Sequence, residues 1–313
     1  MGAQMKSVVD MLLTNVSNGL FEEEGYICEK VFPTIEVDQL TGKLAKYGTR
    51  HLAIEHSLMG GRGEARRVQP ITRSQSTYSL EPHGLEGMVT PTDRANVLKP
   101  YDAEKDETLG VTNLILQGKE YALANSLGST SIMTLNTTLA GTSQWSDYAG
   151  SSPLEDAKTA MAAVKAASGV VPNSIILSWE VKNVLKYHPQ ILDQLGFKYN
   201  QAGLIGEVEL ARAFDVQKVY VAKATYESAK EGQSSSLAPI WGKNMVFAYL
   251  PESAKPYQKS LGYYLRMRGV GSRKVYKYAI NNPADSTGIQ VQDWYQYFLS
   301  DVNCGYLVKS CIA

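Results

Sequence analysis

The stretch DAEKDETLGVTNLILQGKEYALANSLG, residues 102–128, reads as one uninterrupted helix. Asp102 is a suitable N-cap, and Glu104, Asp106 and Glu107 put acids where the helix dipole favours them. Carried to Leu127 the helix is roughly 38 Å long at about 1.5 Å per residue, and Gly128 is its stop signal. Gly110 and Gly118 inside it cost stability, which predicts close approach by another backbone. Immediately upstream, residues 47–98 contain no lysine. They carry Arg50, Arg62, Arg66, Arg67, Arg73 and Arg94, broken by Gly60, Gly61, Gly63, Gly84 and Gly87. Scattered apolar residues and dense glycine leave this segment no core of its own. A structureless loop that long is unexpected inside a compact domain unless it packs on something else. A projecting segment that lies on a neighbouring copy of the chain meets that need, so assembly comes before chemistry as a reading.

At 313 residues the chain can bury a substantial core and should hold about two domains. Hydrophobic residues at 44% and charged residues at 20% are ordinary for a globular protein. The formal net charge of +0 disfavours a dedicated nucleic-acid binder, whose affinity comes mainly from neutralised phosphates, but allows a surface that faces nucleic acid without gripping it. Cys28, Cys304 and Cys311 are odd in number and form no CxxC pair, so they read as buried, reduced thiols. No apolar run is long enough to span a bilayer, and Asp10 interrupts the only apolar stretch near the N-terminus. These features predict a protein of cytosolic origin.

Met5, Val8, Val9, Leu12, Val16 and Leu20 fall at helical spacing, on a helix that packs on its own body or on another subunit. Val31 to Val37 reads as a strand, Gly42 as a turn into the arginine-bearing segment, and Ser76 to Leu80 as one strand of a long hairpin. Pro82, Gly84, Gly87 and Pro91 then predict repeated breaks. Ser152-Pro153-Leu154-Glu155 has the residues of a capping box at the start of a helix that runs to Gly169. A strand (Ser174 to Leu177), a helix (Trp179 to Tyr187), a helix (Val208 to Phe214), a strand (Lys218 to Ala222) and a strand region (Ile240 to Leu250) make this part α/β. Gly262 to Arg268 and Val275 to Ile280 flank Gly269-Val270-Gly271-Ser272 and read as a hairpin, followed by strands at Ile289 to Leu299 and Gly305 to Ile312.

Motifs that carry chemistry are missing. His51 and His56 lie five apart, roughly 140° around a helix, whereas a zinc helix needs them one turn apart. Gly269-Val270-Gly271 precedes a strand, whereas a phosphate cradle must open a helix. There is no nucleophile elbow, Walker loop or HExxH, and neither His83 nor His188 has a neighbour that marks a catalytic pair. The residues support no enzyme, cofactor or metal.

An ordered series of phrases carries a resemblance. Val31-Phe32-Pro33 leads to Val37-Asp38 and Tyr47-Gly48. Pro172-Asn173-Ser174, Ile175-Ile176-Leu177-Ser178 and His188-Pro189-Gln190-Ile191 follow. Leu210-Ala211 with Phe214, Val219-Tyr220-Val221, Ile240-Trp241-Gly242-Lys243 and Tyr249-Leu250-Pro251 complete the series. Together these resemble the major capsid proteins of tailed bacteriophages, which share the Hong Kong 97-type fold with encapsulin shells. The resemblance spans nearly the whole chain; the order of the phrases is specific, and no single phrase is. It implies an α+β fold with an N-terminal arm (1–42), an extended β-hairpin loop (43–98), a peripheral domain on a spine helix (99–150 and 258–313) and an α/β axial domain (151–257).

The function so implied is a coat protein that self-assembles into hexamers and pentamers, forming an icosahedral or prolate head around double-stranded DNA contacted non-specifically. Expected partners are further copies of the chain, a separate scaffolding protein, a portal and decoration proteins, with no membrane; the expected location is the virion, after synthesis in the host cytoplasm. The family's lysine cross-link is not expected, since residues 47–98 lack lysine. At the interface, Arg62, Arg66, Arg67 and Arg73 are expected to pair with Asp102, Glu104, Asp106 and Glu107 of a neighbour, because the guanidinium fork matches a carboxylate. Two alternatives stand beside this reading: an encapsulin-type compartment shell, and an α/β enzyme using residues 151–257.

Overall fold

The computed structural model describes residues 8–23, 25–47, 73–97, 102–198, 203, 205–254, 258–268, 273–280 and 285–313. The chain opens with β1 (Val8–Val9), α1 (Met11–Glu23), β2 (Thr34–Val37) and the strands β3 (Thr41–Tyr47) and β4 (Arg73–Ser79). Strand β5 (Glu81–Val89) and the short helix α2 (Pro91–Asn96) lead into the long helix α3 (Ala103–Gly128). The middle holds β6 (Asn136–Thr138), α4 (Pro153–Ser168), β7 (Ser174–Ser178), α5 (Trp179–Tyr187), α6 (Pro189–Leu195), α7 (Glu207–Ala213), β8 (Lys218–Ala222), β9 (Thr225–Glu227), β10 (Leu237–Pro239) and β11 (Met245–Ala248). It closes with β12 (Gly262–Met267), β13 (Lys274–Ile280), β14 (Ser286–Leu299) and β15 (Gly305–Lys309).

Helix α3 runs 26 residues and begins as its sequence requires, with the Asp102 carboxylate accepting from the Glu104 N–H at 3.0 Å. It touches both large sheets. One side meets β5 and β14, where Val111, Ile115, Val89, Ile289 and Val291 form a core layer. Further along, Leu116, Leu123 and Leu127 join Val31 and Phe32 from the N-terminal segment and Ile176, Val246 and Leu307 from the second sheet. That second sheet runs β6-β15-β11-β7-β8. Its alternate residues Ile175, Leu177, Phe247 and Val308 face a separate core under α4, α5, α6 and α7. Both faces are covered, so β7 is buried at every position and its apolar run shows no alternation. Strands β6 and β15, from segments expected in the peripheral domain, complete this sheet around strands of residues 151–257.

The first sheet departs from the sequence reading. Strands β12 and β13 do not pair as a hairpin; both pair antiparallel with β14, β12 along Tyr295 to Leu299 and β13 along Ser286 to Gln292. Tyr295 pairs with Arg266 on one side and Glu81 on the other, so β12 and β13 lie end to end on one side of β14 and β5 lies on the opposite side. The residues 269–272 that the hairpin reading turned on lie outside the described residues. The predicted breaks at Pro82, Gly84 and Gly87 are instead a continuous nine-residue strand, β5. Among the described residues β5 is an edge strand, the place in a sheet where proline is tolerated.

Smaller corrections have equally local causes. Gly42 is no turn: it sits inside β3 opposite Tyr78 of β4, where a Cβ would come within 2.6 Å of the Tyr78 hydroxyl. In α1, which the Asp10 carboxylate caps by accepting from the Leu12 and Leu13 N–H groups, Leu13 and Ser17 face inward onto α3, Leu13 beside Val111 and Ile115 and Ser17 against Thr112, while Leu12 is 58% exposed. The Ser152 hydroxyl makes no capping bond to α4; it accepts instead from the Gln190 amide at 3.1 Å. The strand expected over Ile240 to Leu250 shortens to β11, with Ile240 to Asn244 in the turn before it. Gly110 and Gly118 are exposed on α3 with nothing of their own chain within 4 Å of a built Cβ.

Candidate functional site

Strands β3 and β4, which flank residues 48–72 in sequence, form an antiparallel pair. The two strands pair from Thr41 opposite Ser79 to Tyr47 opposite Arg73. The hairpin's base is anchored by Val37, Tyr78 and Leu80, which pack on Tyr263, Leu265 and Phe298 of the first sheet. Backbone continuity is held by the Leu80 N–H, which donates to the Leu40 carbonyl at 2.7 Å, and the Ser79 N–H donates to the Gln296 side chain at 2.9 Å. Arg62, Arg66 and Arg67 lie outside the described residues; Arg73 begins β4, and its side chain also lies outside them.

The four acids at the start of α3 separate into two kinds. Glu104 is engaged within its own chain, accepting from Arg94 at 2.6 Å and from Lys277. Arg94 also donates to the Thr287 hydroxyl at 2.6 Å, which ties α2, α3 and β14 together. Glu107 lies over Gly87 of β5, where a Cβ would stand 2.1 Å from its carboxylate oxygen. Asp102 caps the helix and Asp106 is solvent-exposed.

A buried ionic cluster that sequence reading missed locks the N-terminal segment onto α3. Lys119, fully buried, donates to Glu29 at 2.6 Å, to the Tyr264 hydroxyl at 3.1 Å and to Asp293. Its ammonium also sits 4.4 Å from the Tyr295 ring centroid. Arg273, also buried, donates to Glu29 at 3.0 Å. Burial alone would push the Lys119 ammonium down, yet Asp293 and Glu29 outweigh it and hold the pKa above its ordinary value. For Glu29 burial pushes upward, and Lys119 and Arg273 hold the carboxyl below its usual range. The adjacent Glu120 accepts from the Ile27 and Cys28 N–H groups at 3.1 and 2.8 Å and from the Trp241 indole at 2.5 Å. Burial pushes its carboxyl up, against the donors from Trp241 and Cys28. The available signal was position: Lys119 and Glu120 occupy the stripe of α3 that elsewhere holds Leu116, Leu123 and Leu127.

The two described histidines, His83 and His188, have structural roles. His188 is buried at the joint of α5 and α6; its Nδ1 accepts from the Gln190 N–H, leaving Nε2 to donate to the Ser151 hydroxyl at 3.0 Å. His83 of β5 stacks on Tyr295 at 4.4 Å between ring centroids. All three cysteines are free and buried, and burial pushes the Cys304 thiol up to about 12. Among the described residues no group of three or more His, Cys, Asp or Glu could hold a metal ion, and no helix is long and apolar enough to cross a membrane.

No family model matches the chain. A curated relative, the major capsid protein of Burkholderia phage BcepMu, is 26% identical over 322 aligned positions that cover 96% of each chain. Among solved structures, a phage-related protein from Bordetella bronchiseptica superposes with a TM-score of 0.73 at 23% identity, over 98% of both chains. The capsid of cyanophage P-SCSP1u gives a TM-score of 0.58 at 10% identity, covering 91% of this chain and 88% of its own.

Proposed function

We infer that this chain is a bacteriophage major capsid protein with the Hong Kong 97-type α+β fold, the subunit of a self-assembling head shell. One observation carries the reading: its likeness to a phage major capsid protein extends over 96% of both chains, on a fold shared with phage capsid structures. The compartment-shell alternative has less support, because the curated relative is a virion protein. Its role is structural, with no reaction of its own; the relative is a coat protein.

On this reading residues 1–42 are the arm, 43–98 the extended loop, 99–150 with 258–313 the peripheral domain and 151–257 the axial domain, with β6 and β15 extending the axial sheet. Subunits form hexamers and pentamers around double-stranded DNA, with separate scaffolding, portal and decoration proteins, after synthesis in the host cytoplasm. Each extended loop lies over the next subunit and brings Arg62, Arg66, Arg67 and Arg73 towards its acids. Of those acids, Asp102 and Asp106 are exposed, and Glu104 already holds two cations of its own chain. Exposed pairs contribute at most about 1 kcal/mol each, so the effect depends on repetition over many copies.

The test is negative-stain electron microscopy with sedimentation of the purified protein. Closed shells, tubes or capsomer rings are the expected result. A monomer that stays monomeric when co-expressed with its neighbouring genes would sink the reading. The double variant Arg66→Glu, Arg67→Glu should assemble poorly while its subunit stays folded.

A further inference from the structure

The solvent side of α3 has the composition of a buried helix face. Its row of exposed residues one turn apart is Asp106, Gly110, Leu114, Gly118 and Ala122, with Tyr121 beside it. Leu114 is 57% exposed and Tyr121 45%. Between Glu107 and Gly128 the helix has only two charged side chains, Lys119 and Glu120, and both are fully buried. A helix on a protein surface turns its charges to water, whereas one that is apolar all round is covered all round. At Gly110 and Gly118 no described atom beyond the helix itself lies within 4 Å of a built Cβ, so a second helix can approach closely.

The order of the row says what covers it. Gly110 and Gly118 stand four residues before and four after Leu114. A two-fold axis at Leu114 pairs residues equidistant from it on two antiparallel helices. Gly110 then faces Gly118 of the second copy, Leu114 meets Leu114, and Asp106 faces Ala122, so the row complements itself and opposes no like charges. The ends match in charge as well. The start of α3 is acidic, and the Asp106 carboxylate has no partner among the described residues. Lys309 sits beside Tyr121, Asn125 and Gly128 at the far end, and its ammonium makes no ion pair among the described residues. An antiparallel second copy lays each acidic start towards the other's Lys309.

We propose that the exposed row of α3 is a two-fold interface, in which α3 of a second copy packs antiparallel and centred on Leu114. This rests on the shell reading above, of which it names one contact.

Cysteine substitution in the full chain reads the register directly, because the three native cysteines are all buried. A disulfide needs Cα atoms about 4.4–6.8 Å apart. Under mild oxidation Leu114→Cys should give a covalent dimer, in particles and in concentrated unassembled subunits alike. Gly110→Cys alone should not, since the axis leaves its two copies roughly 12 Å apart at about 1.5 Å per residue; mixed with Gly118→Cys chains, it should. Leu114→Glu sets two carboxylates face to face, and should raise the subunit concentration needed to close shells on the order of tenfold. Position 114 is exposed, so thermal unfolding of both Leu114 variants should stay near the wild-type midpoint. Leu114→Cys chains that stay unlinked, or Gly110→Cys chains that link to each other as readily, overturn the proposal and leave the shell reading standing. A wild-type chain that never assembles overturns both.

Discussion

Removing the buried ammonium of Lys119 should be the most damaging single change in the described structure. In Lys119→Met the side chain keeps its length, while Asp293, whose side chain is 1% exposed, loses the ammonium that neutralises it. Glu29 keeps Arg273 at 3.0 Å, so the loss concentrates on one carboxylate. Breaking a buried pair from one side costs about 3–5 kcal/mol. A second route gives a similar size. A stranded buried carboxylate escapes by taking a proton, at about 1.36 kcal/mol for each pH unit above an unfolded aspartate pKa of about 3.9. That is about 4 kcal/mol at pH 7 and about 1.5 kcal/mol at pH 5. The sign follows from linkage: in the variant the folded state holds a proton that the unfolded state releases, so the penalty grows as pH rises. Urea unfolding of unassembled subunits, followed by tryptophan fluorescence at pH 5 and pH 7, reads both quantities. Lys119→Met with Asp293→Asn should recover much of the loss, since no charge is then stranded. A pH-independent penalty, or a double variant whose loss is the sum of the two singles, would refute the reasoning.

Three further outcomes follow from named contacts. Burial lowers the pKa of His188, so the unfolded state binds the extra proton first; stability is fully present above about pH 6.5 and falls as pH drops below it. His188→Asn keeps a capping acceptor for α6 and should flatten that acid slope in urea titrations at pH 7.5 and 5.5. Gly87→Ala should cost about 1–3 kcal/mol, because its Cβ meets the Glu107 carboxylate, and Glu107→Ala in the same chain should relieve it. Gly110→Ala and Gly118→Ala should each stabilise the isolated subunit by about 1 kcal/mol in thermal unfolding. Fewer closed shells from those same variants would mean that a neighbour's backbone approaches the two glycines.

What could be read from sequence was what neighbouring residues decide among themselves. Asp102, the acids after it and Gly128 delimit α3 because caps and dipole effects act within one helical turn. Ser174 to Tyr187 likewise reads as a strand and then a helix, and the structure has both, the strand one residue longer and ending on the helix N-cap Ser178. The hairpin strand read at Ser76 to Leu80 is largely β4, which pairs with β3. Tertiary structure decided whatever required choosing a distant partner. Strand β14 draws β12 and β13 to one side and β5 to the other, and no local signal distinguishes that from a β12–β13 hairpin. Pro82 and Gly84 punctuate the sequence as a turn would, yet an edge position makes them compatible with a strand. Lys119 reads as one more surface charge until Glu29, Asp293 and Arg273, which lie far apart along the chain, converge on it. Caps, turns and periodicity are short-range energies and show in any window of sequence; pairing and ion-cluster formation are long-range choices, settled by which apolar faces are buried together.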